Sequence, residues 1–195
     1  MVFVIIKSPQ HQDAPDSCTP TCIKVILDQQ FGVSRRLSFI KKWVGYEPGC
    51  GSCSPYNTPV RLEEPLAKLK LIPHTLTGAN NTDFIDLLNK KQFPFLFLKL
   101  EYLNETGVKK IKVYDGGEDW WHCVVICGFD EKNENVFIYD PYLNYDGPLN
   151  ESSCHIKIPY ALLTKYWKAT NNRLFWIASI KAATQKEKDK QLTEY

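Results

Sequence analysis

The chain has 195 residues, 44% of them hydrophobic and 13% aromatic, enough to bury a sizeable core and in keeping with one compact domain over 1–181 followed by a charged tail over 182–195. Its 24 basic and 22 acidic residues nearly balance, and no Lys/Arg block has the density or aromatic interleaving that a phosphate backbone calls for, so nucleic acid is not an expected partner. No apolar run approaches the roughly 18 residues of a membrane helix; the sequence predicts a soluble chain with no membrane partner.

The apolar residues Val2 to Ile6 open the chain without a basic flank, a run too short for a signal peptide and better suited to a first strand. Seven cysteines, an odd number, with no export signal predict a reducing, cytoplasmic setting without a disulfide framework. Residues 8–17, with Pro9 and Pro15, read as a loop leading to Cys18. From Pro20 to about Gln30, Cys22, Ile23, Ile26 and Leu27 recur at helical spacing, and Pro20 falls in the first turn, where no N–H is needed. Residues 35–44 and 61–69 predict two further short helices around a Gly/Pro-rich loop over 45–59. Asn81 or Thr82 caps a helix over 83–91 that presents Phe84, Leu87 and Leu88 on one face.

Beyond Phe93 the pattern changes to short apolar runs at 93–100, 120–128, 136–139 and 174–180, interrupted by a helix over 160–167. Helices early and strands late predict an α+β fold, with an N-terminal helical part packed on a C-terminal antiparallel sheet.

A thiol becomes a useful nucleophile when ionised, and a helix N-terminus or a neighbouring imidazole does this most directly. Cys18 stands at the mouth of the first predicted helix, where unsatisfied N–H groups favour a thiolate; Cys22, one turn further, is expected to face the core. The imidazole follows from register. Residues 120–141 read as a hairpin, and if its turn centres on Glu131, His122 lies opposite Asp140. A shift of the turn centre by one residue moves the opposed position to Tyr142 and leaves Asp140 on the diagonal. Asp140, held by Pro141, can orient His122 toward a nucleophile. An oxyanion needs an aimed amide N–H, and Gln12 can fold back beside Cys18, with Gln10 as second choice.

These residues carry a resemblance: Gln12, then Asp16-Ser17-Cys18-Thr19-Pro20-Thr21-Cys22, then His122 to Asp130, then Ile138-Tyr139-Asp140-Pro141. In order and spacing, along about 130 residues, the set resembles the C39-like peptidases of the papain-like clan and is similar to the proteins described as guanylyl cyclase domain-containing. The resemblance implies a papain-like fold and a cysteine peptidase acting on a protein or peptide substrate without a cofactor. It puts the nucleophile on Cys18, the base on His122, the orienter on Asp140 and the oxyanion amide on Gln12. The pattern departs at Thr19, where the family usually has Gly, and at Ser17, where it has an acidic or aromatic residue. Thr19 narrows the approach to the thiol, and Trp121 is placed to wall a substrate cleft. The 195 residues include no transporter segment, so a bacteriocin-leader role is not expected.

Other readings stay open. The same residues serve an acyl transferase if an amine replaces water, and the fold without turnover is a binding or adaptor module. Cys50 and Cys53, a C-x-x-C pair, form a zinc site if joined by Cys18 and Cys22; the expectation is two incidental thiols and no metal. His11, His74 and His155 read as surface or packing residues, and the acidic 115–119 connection around Gly116 and Gly117 as a lid or a solvated turn.

Overall fold

The computed structural model describes residues 2–14, 16–48, 54–99, 101, 121–142 and 155–180. The Cys50/Cys53 pair, the 115–119 connection, Trp120, Cys154 and the tail over 182–195 lie outside the described residues. Among the described residues no helix is long and apolar enough to cross a membrane.

The fold is α+β around one antiparallel sheet. In chain order the strands are β1 (Val2–Phe3), β2 (Leu71–Leu76), β3 (Phe95–Lys99), β4 (Trp121–Asp130), β5 (Asn135–Tyr139), β6 (His155–Pro159) and β7 (Leu174–Ser179). The helices are α1 (Cys18–Phe31), α2 (Leu37–Trp43), α3 (Thr58–Ala67), α4 (Asn81–Asn89) and α5 (Tyr160–Trp167). Across the sheet the order is β2-β7-β3-β4-β5-β6, and β1 adds to β4 beyond the end of β3.

β4 is central because both its faces are apolar, as a strand with side chains alternating at period two must be when helices cover both sides. Cys123, Val125 and Cys127 join Phe95, Phe97, Phe175 and Ile177 in a core closed by α1 residues Cys22, Ile23 and Ile26. Val124 and Ile126 point the other way, into a second core with Leu96, Leu98 and Ile138, closed by Phe84 and Leu88 of α4 and Leu163 and Trp167 of α5. Helices therefore cover both faces of the sheet: α1 closes one core, and α4 and α5 close the other. A one-sided sheet would have left Val124, Ile126 and Ile138 in water, at a cost of roughly 1.5–3 kcal/mol for each side chain.

Two strands carried no usable sequence signal. β2 is the run Leu-Ile-Pro-His-Thr-Leu and β6 is His-Ile-Lys-Ile-Pro; both contain proline, and both are the edges of the sheet. Proline is tolerated at such edges because one side of the strand needs no ladder donor. The cap of α4 is Asn80, not Asn81 or Thr82 as expected. Its side chain accepts from Thr82 N–H at 2.8 Å while Asp83 accepts from Asn80 N–H at 2.8 Å, the reciprocal pairing of a capping box.

Gly128 is where β1 crosses β4. A Cβ there would meet the Val2 carbonyl oxygen at 2.5 Å and Phe3 Cα at 2.9 Å. Because the neighbour is backbone, the strands must separate, so Gly128→Ala is expected to cost about 1–3 kcal/mol, read as a lower denaturant midpoint. The loss would loosen the segment that runs from β1 through Gln12 to Cys18.

Candidate active site

α1 begins at Cys18 itself, earlier than the apolar periodicity indicated, so Cys18 is the first helical residue and Pro20 lies in the first turn. Ser17 ends the preceding loop: its hydroxyl is 2.8 Å from both Asp13 Oδ1 and the Ala14 carbonyl, and its own carbonyl accepts from Thr21 N–H at 3.2 Å and from the Thr21 hydroxyl at 2.8 Å. The first turn itself carries no acidic side chain. Cys18 as a residue is 6% exposed.

The β4–β5 hairpin brings His122 and Asp140 together by a register other than the symmetrical one. Asp130 pairs with Asn135, a bulge falls between Ile126 and Gly128, and the ladder closes with Val125 opposite Tyr139. Continued, that register sets His122 opposite Tyr142 and leaves Asp140 diagonal. Of the two registers the sequence left open, the shifted one is observed: the turn is centred beyond Glu131, not on it, and the bulge absorbs part of the difference. The diagonal pair still meets, with His122 Nε2 2.7 Å from Asp140 Oδ1, while the Tyr142 ring stands edge-on to the His122 ring at 6.1 Å. Tyr142 N–H also donates to Asp140 Oδ1, at 2.8 Å.

Cys18 is held by a gap in the ladder. β5 ends opposite Val125, but β4 runs on to Trp121. Ile126 N–H donates toward β3, to the Pro94 carbonyl at 2.8 Å; by the alternation of an antiparallel ladder, Cys123 then turns its N–H and C=O toward the side β5 has vacated. The first turn of α1 fills that side. Cys123 N–H donates to Cys18 Sγ at 3.4 Å, and Cys22 Sγ–H donates to the Cys123 carbonyl at 3.3 Å. Cys22 is fully buried in the core, as expected. The Cys123 backbone is the feature sequence reasoning missed. Its only signal was the difference in length between the two apolar runs of the hairpin.

Charge in the site follows from these contacts. Burial pushes the Cys18 thiol up, but its hydrogen bond to His122, the charge of that ring, the Cys123 N–H and the Thr19 hydroxyl together hold it below the usual thiol value. Burial pushes His122 down, and the Asp140 carboxylate and the Cys18 sulfur more than reverse this, setting it well above the usual imidazole value. Both directions favour a thiolate–imidazolium pair. With Nε2 committed to Asp140, Nδ1 is the ring nitrogen left for Cys18. Burial raises Cys22 well above the usual thiol value and raises Cys127 too, so both are inert thiols.

Gln12 is 1% exposed and lies in the segment between β1 and α1. Its backbone N–H donates to the Pro141 carbonyl at 3.0 Å, tying it to the residue after Asp140, and its side-chain nitrogen donates to the Ala14 carbonyl at 2.9 Å. That bond uses one of two amide N–H donors. Gln10, the second choice, exchanges backbone hydrogen bonds with the Tyr139 hydroxyl. Thr19 is buried, with its hydroxyl 4.0 Å from Cys18 Sγ. Trp121 is half-buried at the open end of β4, with Lys99 Nζ 4.5 Å from its ring centroid. His74 stacks on Trp176, and His155 accepts the Ile6 N–H and packs on Tyr139, so both serve packing. Among the described residues no group of three or more His, Cys, Asp or Glu side chains is placed to hold a metal ion.

No protein-family model and no curated protein sequence matches the chain. The fold does have solved counterparts. It is similar to the crystal structure of a Bacillus anthracis protein that carries the provisional designation C39-like peptidase, with a TM-score of 0.61 and 16% identity over 91% of this chain and 97% of that one.

Proposed function

We propose that the chain is a cysteine peptidase or amidase that hydrolyses a peptide or isopeptide bond through a thioester on Cys18. The observation that carries this reading is one arrangement: a thiol on the first residue of a helix, against an imidazole whose far nitrogen is 2.7 Å from a buried carboxylate. The fold shared with a protein provisionally designated a peptidase supports the same chemistry.

In the proposed reaction the Cys18 thiolate attacks the carbonyl carbon. The negative oxygen that results is met by the side-chain amide of Gln12 and the Cys18 backbone N–H, which the first turn of a helix leaves without an intrahelical acceptor. His122 gives the proton on Nδ1 to the departing amine nitrogen, and the C–N bond breaks to leave an acyl thioester. The imidazole, now neutral, takes a proton from water as its oxygen attacks the thioester; the acid product leaves and the ion pair is restored. Asp140 keeps Nε2–H engaged throughout and stabilises the charged ring. Thr19 and Trp121 border the approach to the thiol and shape which acyl groups reach it.

The thioester itself is the test. Rapid acid quenching after mixing with a peptide library, followed by intact-mass spectrometry, is expected to reveal acyl adducts on Cys18 that hydroxylamine removes. Hydrolysis without any such adduct, or adducts on another cysteine, would contradict the mechanism.

A further inference from the structure

Between α2 and α3 lies a groove of about 450 Å³, outside the Cys18 site. Its rim carries Arg35, Lys42, Arg61 and Lys68, the last of them paired at 2.7 Å with the single carboxylate, Glu64. The groove therefore concentrates a formal charge of +3 (four cations minus one anion) in a chain whose total is +2. Trp43 and Leu69, both half-buried against the core, form an apolar floor.

Arg61 is held in place. Its Nη1 donates to the Val44 carbonyl at 2.9 Å and the Gly45 carbonyl at 3.1 Å, at the C-terminal end of α2. A Cβ on Gly45 would come within 1.9 Å of that nitrogen, so only glycine leaves room for the Nη1 end of the guanidinium there, and its remaining N–H donors are held in a planar fork. α2 is in turn pinned to the loop that precedes the nucleophile: Lys41 pairs with Asp13 at 2.7 Å, and Tyr46, next after Gly45, donates its hydroxyl to Asp16 at 2.5 Å.

We infer that this groove docks an acidic segment of the polypeptide substrate, outside the bond that is cut. The inference rests on the peptidase reading for the word substrate and on the groove alone for the binding. Cations on long exposed stems around an open, partly apolar channel suit carboxylates strung along an extended chain, which make several weak, solvent-screened contacts at once.

The test is fluorescence polarisation with fluorescein-labelled hexaglutamate, using the full chain as Cys18→Ala so that turnover plays no part. Hexaglutamate is expected to bind at low salt, to weaken as salt rises, and to lose roughly tenfold in affinity when Arg35 and Lys42, both exposed, become glutamate. Arg61→Lys, which keeps the charge and loses the fork, is expected to weaken binding as well. Equal binding of a neutral Ser/Gly hexapeptide, or unchanged affinity in the double charge reversal, would overturn the inference. Displacement of the peptide by an equimolar amount of pyrophosphate would overturn it too, in favour of a phosphate ligand. Failure of hydrolysis with this binding intact would count against the peptidase reading alone.

Discussion

Cys18→Ala is expected to abolish hydrolysis, by on the order of 10⁴-fold or more, while leaving the fold in place. The physical argument separates the two effects. Alanine keeps a Cβ at the first position of α1 and is the best helix former, so the helix start survives. What is lost is the sulfur that accepts Cys123 N–H and faces His122. A small void and one vacated backbone hydrogen bond are within what the two cores tolerate. The check pairs an assay of new peptide termini by mass spectrometry with thermal unfolding. Residual hydrolysis above about one part in a hundred of wild type, with an unchanged melting curve, would place the chemistry elsewhere.

The second large effect concerns Asp140, which is fully buried and holds both His122 Nε2 and Tyr142 N–H on one oxygen. Asp140→Ala takes away the orienting acceptor and leaves a buried ring nitrogen and a buried N–H without it. Activity is expected to fall by on the order of 10²–10⁴-fold, and stability by about 3–5 kcal/mol, the usual cost of removing one member of a buried ion pair. Asp140→Asn separates orientation from charge. Its carbonyl oxygen can accept from both donors, so much of the activity should return. Without the negative charge, the cause that raises His122 is weakened. Since imidazolium is the form that donates to the leaving amine, the alkaline limb of the pH–rate profile is expected to move to lower pH in this variant. An unmoved limb would mean that the limb reports some other group.

The β4–β5 hairpin shows why the meeting of His122 and Asp140 was legible in the sequence. Residues 121–130 and 135–139 are apolar runs on either side of a polar turn, and period-two alternation constrains which residues can meet. The turn centre lies one residue beyond Glu131 once the bulge near Gly128 has taken back part of the difference, and a bulge is not announced by side-chain pattern. The reading of His122 with Asp140 survived that shift because diagonal neighbours on one face lie within side-chain reach. α1 was legible from its apolar spacing, yet its start at Cys18 was not, since Ser17 makes no side-chain cap to announce it. β2 and β6 were hidden by their prolines, whose tolerance depends on being at the sheet edge, a property of the assembled sheet. The placement of Cys123 N–H on the Cys18 sulfur was beyond reach for the same kind of reason. It needs β5 to stop short of β4, which the unequal apolar runs of the hairpin hint at, and α1 to arrive in the space, which no local pattern encodes.

The central claim is that Cys18 is a thiolate because of His122. The most direct test is alkylation of Cys18 by iodoacetamide across pH, read by peptide mass spectrometry, in wild type and in His122→Ala. In wild type the rate should persist well below the ordinary thiol pKa of 9.0, since Cys18 is shifted down, and fall only when acid protonates the sulfur. In His122→Ala the lowering from the ring is gone while burial still raises the thiol, so reactivity should retreat to alkaline pH. A Cys18 that stays unreactive at neutral pH in wild type, or one equally reactive in both proteins, would contradict the account.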